Sequence, residues 1–281
     1  MRIKITADST CDLPSEIVRK YNIGIVPLYI VKNEESFRDS LEIVPKDIFD
    51  HVESGAGICH SAAVNVADYD EWFAKGLEEH DAVIHVNISH EFSSCNQNAL
   101  ISAAELENVY VVDSLNLSTG SGLVVLEAAL LAERGMAPEQ IVAELNEFTK
   151  RVEASFVIGT LKYLHKGGRC SGLAAFGANV LGLKPCIEVI DGKMGVGKKY
   201  RGNFEKIILQ YVSDRLANRD DLDKKRIFVT FPPSLPQKVV DSVVGLISSE
   251  YGFEEILCSN AGCVISNHCG PTCLGVLYCR K

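Results

Sequence analysis

The chain has 281 residues, 47% hydrophobic and 23% charged, proportions that exclude a disordered or fibrous protein and leave room for two domains. It carries 28 Lys and Arg against 37 Asp and Glu, a net charge of −9, which disfavours nucleic acid or an anionic membrane as partner. No apolar run reaches the roughly 18–20 residues that span a bilayer; the longest, 122–132, is interrupted by Glu127, so no stable membrane insertion is expected.

The elements alternate through the first half. RIKITA (2–7) reads as a strand, with no signal peptide before it, so a soluble, cytoplasmic protein is expected. Asp12 and Pro14 suit the start of a helix reaching about residue 20. GIVPLYIV (24–31) is an apolar strand, placed at a sheet edge by Pro27. Helices are expected at 46–53 and 68–79, a buried strand at 81–89, a helix at 96–105 and a strand at 109–113. Two further helices follow at 122–134 and 138–152. Such alternation implies a parallel sheet with helices on both faces.

The pattern changes near residue 153. A strand at 154–161 leads into a Gly-rich turn, and 186–202 reads as a hairpin about Asp191-Gly192. A helix at 203–217, a strand at 226–231, a helix at 236–250 and strands at 254–259 and 274–280 complete the chain. The expected fold is α/β with two domains: an N-terminal parallel-sheet domain over 1–153 and a C-terminal α+β domain over 154–281.

Charge is uneven. Residues 157–206 hold nine Lys and Arg against three Asp and Glu, a basic island in an acidic chain. The ten cysteines show no C-x-x-C pair and no His partners at zinc spacing. They read as reduced thiols serving as small hydrophobes, with no metal expected.

Three clusters of small polar residues follow strands, where open α/β sheets bind ligands. In Asp8-Ser9-Thr10-Cys11-Asp12 helix capping is the commoner duty. Ser93 and Ser94 precede a helix whose free N–H groups suit a carboxylate or phosphate, and one serine can cap while the other meets a ligand. The loop after 109–113 lacks the G-x-G-x-x-G spacing, and close helix packing explains its glycines as well as a ligand would. GKMGVGKK (192–199) has a lysine where a phosphate loop needs Ser or Thr, and it begins in a hairpin turn. There is no G-x-S-x-G elbow. His80 and His85 would point to opposite faces of a strand. His268, beside Gly270-Pro271, is expected on a loop, where it can meet a ligand or make a structural hydrogen bond.

Taken in order, ADSTCDLP (7–14), FRDS (37–40), NISHEFSSCNQNA (87–99), VVDSLNLSTGSG (111–122), LKYLHKGGRCSG (161–172), LGLKPCIEVIDGK (181–193), KKYRG (198–202) and NHCGPTCLGVLY (267–278) give the chain a full-length resemblance to the DegV family of bacterial fatty-acid-binding proteins. The resemblance implies a two-domain α/β protein that buries a long-chain fatty acid between its domains, without catalysis and without a cofactor. It implies that Ser61, Ser93 and His268 hold the carboxylate. The family's T-S-Q-P-S loop is here Ser61-Ala62-Ala63-Val64-Asn65, and its L-S-G-T is Phe92-Ser93-Ser94-Cys95. It also implies a partner fatty-acid kinase, engaged through Arg169 and Arg201 in the basic island. The competing reading is a hydrolase or small-molecule kinase that uses Ser93 and His268.

Overall fold

The computed structural model describes residues 1–170 and 182–281. The first strands are β1 (Ile3–Asp8), β2 (Gly24–Val26), β3 (Tyr29–Lys32), β4 (Glu35–Arg38), β5 (His60–Ala62), β6 (Ala82–Asn87) and β7 (Val109–Asp113). Among them run α1 (Ser15–Lys20), α2 (Pro45–Glu53), α3 (Val66–Glu79) and α4 (Cys95–Ala103). Next come α5 (Ser118–Glu133) and α6 (Pro138–Phe148). Strands β2-β1-β6-β7 form a parallel sheet in that order. Every residue of β6 is buried, as expected of a strand covered on both faces by helices. The pairs α3/α4 and α5/α6 flank the sheet.

Two expectations fail here for physical reasons. The apolar stretch 24–31 is not one strand. Pro27 cannot continue a ladder, and the chain divides there into β2, at the edge of the parallel sheet, and β3, at the centre of a separate antiparallel sheet β4-β3-β5. Asp12 does not cap α1, which starts after Pro14 with no side-chain cap. Instead Asp12 adopts a left-handed backbone and its carboxylate accepts hydrogen bonds from Ser118 and Gly262. Helix α5 also begins four residues earlier than expected, at Ser118.

The later elements are β8 (Val152–Ile158), α7 (Lys162–Gly167), β9 (Leu183–Ile190), β10 (Lys193–Arg201), α8 (Phe204–Leu216), β11 (Leu222–Phe231), α9 (Gln237–Glu250), β12 (Glu255–Asn260), α10 (Cys263–Cys269) and β13 (Cys273–Arg280). The six strands form one mixed sheet, β10-β9-β8-β13-β11-β12, in which only β11 and β12 pair in parallel. The β9–β10 hairpin turns where expected: Asp191 (φ 49°) and Gly192 (φ 78°) both take the left-handed conformation of a two-residue turn. Helices α7 and α10 were not foreseen. His268 therefore lies in the last turn of a helix rather than on a loop. The ends of the LKYLHKGGRCSG and LGLKPCIEVIDGK motifs, within 171–181, lie outside the described residues.

Alternation along the strands gives the mixed sheet two apolar faces. Leu274, Val276 and Tyr278 of β13 turn toward a core shared with α8 and α9. Cys273, Leu277 and Cys279 turn the other way, into a core continuous with that of the parallel sheet. Phe156, Ile158 and Phe228 join that second core, so the two sheets share one apolar interior. No helix among the described residues is long and apolar enough to cross a membrane.

Candidate functional site

Within the shared interior lies a cavity of about 140 Å³. One wall comes from β5, from the loop between β6 and α4, and from Leu117 at the start of α5. The opposite wall comes from Phe156 of β8, Leu164 of α7, Met194 of β10 and the inner face of α10. Most of this lining is apolar. The polar groups are Ser61, Ser93, Ser94, Arg169 and His268.

Ser61 is the middle residue of the short strand β5, in register with Ile30. Its hydroxyl lies 2.9 Å from His268 Nε2, joining residues 207 positions apart. Burial, with Arg169's positive charge as the lesser cause, lowers the His268 pKa to about 4, so the ring is neutral near pH 7. Its Nδ1 has no hydrogen-bond partner among the described residues. A Cβ on Gly167 would stand 2.2 Å from that atom, so the close approach of α7 to the imidazole requires glycine there.

Ser93 precedes α4, and its hydroxyl accepts from the Cys95 N–H at 3.2 Å and donates to Cys95 Sγ at 3.1 Å. Burial pushes the Cys95 thiol up to about 12, which keeps it protonated. Arg169 Nη1 donates to the Gly167 carbonyl at 2.6 Å. Thus Ser61, Ser93, His268 and Arg169 meet at one cavity. Arg201 does not; it is exposed at the end of β10 and absent from the lining.

A second, narrower cavity of about 20 Å³ shares Leu117, Phe156, Ile265 and Cys269 with the first. Its own hydroxyls are engaged elsewhere: Thr230 with Thr119 at 2.6 Å, Ser266 with the Ala261 carbonyl at 3.1 Å, and Ser118 with Asp12. What remains facing the space is apolar. The two cavities are neighbours that share part of their lining, the first with polar groups in its wall and the second almost wholly apolar.

The geometry bears on the enzyme alternative. Ser93 bonds to Cys95, not to His268. The serine on the imidazole is Ser61, and a ring with a pKa of about 4 is a weak general base. A Thr6–His85–Asp8 chain also exists, with Thr6 Oγ1 2.8 Å from Nδ1 and Asp8 Oδ1 3.2 Å from Nε2. All three residues are buried and line none of the described cavities. Among the described residues no cluster of three or more His, Cys, Asp or Glu could hold a metal ion. Eight of the ten cysteines are buried; Cys170 is intermediate and Cys258 exposed.

Fold and cavity together define a class: an α/β protein whose two main sheets share an apolar interior holding a cavity with a few polar side chains in its lining. Residues 2–281 match the family model described as "Uncharacterised protein, DegV family", and the chain belongs to the DegV family. A DegV domain-containing protein of Clostridium acetobutylicum is 32% identical over 288 residues, covering 100% of this chain and 99% of the relative. Among solved structures, "Fatty Acid Binding of a DegV family Protein from Thermus thermophilus" is similar with a TM-score of 0.88 and 32% identity, covering all of both chains. The structure of DegV, a fatty acid binding protein from Bacillus subtilis, is similar with a TM-score of 0.85 and 26% identity, again over the whole of both chains.

Proposed function

We propose that this protein is a non-enzymatic carrier of a long-chain fatty acid, enclosed between an N-terminal domain (1–153) and a C-terminal domain (154–281) and needing no cofactor. The observation that carries this reading is that Ser61, Ser93, Ser94, His268 and Arg169 line one cavity whose remaining walls are apolar. Hydroxyl and guanidinium donors suit a carboxylate. The apolar walls suit the tail, since burying ~15 methylenes is worth roughly 12 kcal/mol gross at about 0.8 per CH₂. The tail then dominates affinity and the donors fix orientation. In protein stripped of lipid, hexadecanoic acid is expected to bind about tenfold more tightly than hexadecan-1-ol, the worth of one good charge-assisted hydrogen bond. Equal affinity for the two in a displacement titration would remove the head-group site.

A buried ligand with its carboxyl at these polar groups suits a partner that acts on that carboxyl, and we assign this role to a cytoplasmic fatty-acid kinase. The basic island at 157–206 supports the assignment, with exposed Arg201 as a docking residue and Arg169 as both cavity cation and docking residue. Complementary charge chiefly speeds encounter. Arg201→Ala is expected to slow phosphorylation of the loaded carrier severalfold at low salt and to leave fatty-acid affinity unchanged. A rate equal to wild type at low salt would exclude Arg201 from the contact.

A further inference from the structure

Two sequence motifs, ADSTCD and FRDS, contribute nothing to the cavity wall, yet one aspartate of each, Asp12 and Asp39, converges on one point. That point is the start of α10, the helix that carries His268. Asp12 Oδ1 accepts from the Gly262 N–H at 2.8 Å, and Asp39 Oδ1 accepts from the Cys263 N–H at 2.9 Å. Both carboxylates are buried and held in turn: Asp12 by Ser118, Asp39 by Ser9 at 2.7 Å and Ser40 at 2.9 Å. Gly262 itself offers no side-chain cap.

A helix of seven residues is marginal on its own, and its first N–H groups have no partners inside it. Here two of them are met by carboxyl oxygens from distant parts of the chain, acceptors that the first turn of a helix needs whether or not they carry charge. The other end is held by Asn267, which donates to the Cys59 carbonyl at 2.9 Å, and by the His268–Ser61 contact. At about 1.5 Å per residue the helix is roughly 10 Å long, so a shift at its first turn is carried to the imidazole.

We propose that Asp12 and Asp39 are positioning residues of the head-group site, acting through α10 to set where His268 meets the ligand. This inference rests on the fatty-acid reading above. Neither aspartate lines the cavity, so neither touches the ligand. Gly262 belongs to the same device, because a Cβ there would stand 3.1 Å from Asp12 Oδ1 and 3.3 Å from Ser40 Oγ, crowding the cap while leaving both aspartates in place.

The test is a double-mutant cycle read with two probes, hexadecanoic acid and hexadecan-1-ol, in lipid-stripped protein. Asp39→Ala is expected to weaken acid binding about three- to tenfold, the scale of one lost hydrogen bond, with alcohol binding unchanged. In a His268→Ala background the same substitution should add no further loss, because groups acting through one another are not additive. Asp39→Asn, which keeps an oxygen acceptor for the Cys263 N–H, should recover most of the acid affinity. Gly262→Ala should reproduce the selective loss and carries the test if Asp39→Ala does not fold. Equal losses for acid and alcohol, or an undiminished loss in the His268→Ala background, would overturn the positioning role. A wild type that does not prefer the acid would overturn the fatty-acid reading itself, and the inference with it.

Discussion

Protein carrying Ser61→Ala and His268→Ala together is expected to bind a long-chain fatty acid about a hundredfold more weakly than wild type, since roughly 3 kcal/mol of charge-assisted hydrogen bonding is lost. The two side chains are 2.9 Å apart, so their losses should combine to less than the sum of the single variants. With the ring proton on Nε2, the neutral imidazole donates to the Ser61 hydroxyl and leaves that hydroxyl's own proton for the ligand. The tail keeps its apolar walls, so the matching fatty alcohol should bind about as well as before. Competition titration with acid and alcohol separates the two contributions. Ser93→Ala alone should cost the acid about tenfold, as one hydroxyl at a buried carboxylate is worth about 1–3 kcal/mol. Undiminished acid binding by the double variant would place the head group elsewhere in the molecule.

The second large effect is on stability. Burial raises the Asp12 pKa from 3.8 to about 8; the bonds from Ser118 and Gly262 pull it down, and the neighbouring charge of Asp39 pushes it up. The folded chain therefore holds a proton that the unfolded chain releases. Asp12's contribution is full below about pH 4, declines as pH rises toward 8, and is level beyond. His268 acts in the opposite sense. Its folded value of about 4 lies below its ordinary 6.5, so its contribution is full above pH 6.5 and is lost as pH falls toward 4. Between pH 6.5 and 8 only Asp12 of these two acts. There the wild type should lose on the order of 2 kcal/mol at about 1.4 per pH unit, and Asp12→Asn should lose much less. Urea unfolding at the two pH values measures it. Parallel profiles for wild type and Asp12→Asn would mean that Asp12 is ionised throughout the window.

The elements most legible in the sequence were those set by local pattern. Apolar runs such as 82–87 marked the buried strands, and Asp191-Gly192 marked its turn. The polar steps after strands marked the loop that carries Ser93. Ser61 was legible only through the family resemblance, because its three-residue strand is too short to show a period. Helix α10 was illegible for a related reason: CVISNHC, between Gly262 and Gly270, has no amphipathic repeat and is buried almost all round. Asp12 was misread because Asp-x-Pro is a local helix-start signal, and the donors that take its carboxylate lie 106 and 250 residues away. Its neighbour Asp39 offered no local signal, and its Cys263 partner is 224 residues distant. Pairings of that range follow from how the two sheets meet, which no window of sequence contains.

A carrier of this kind must hold a fatty acid in the space between the sheets. Native mass spectrometry of the protein purified from bacterial cells without added lipid tests this most directly. The expected spectrum shows one long-chain fatty acid per chain, retained under native conditions and released on denaturation. A chain carrying a nucleotide or a metal ion instead, or one that stays unliganded after incubation with hexadecanoic acid, would contradict it.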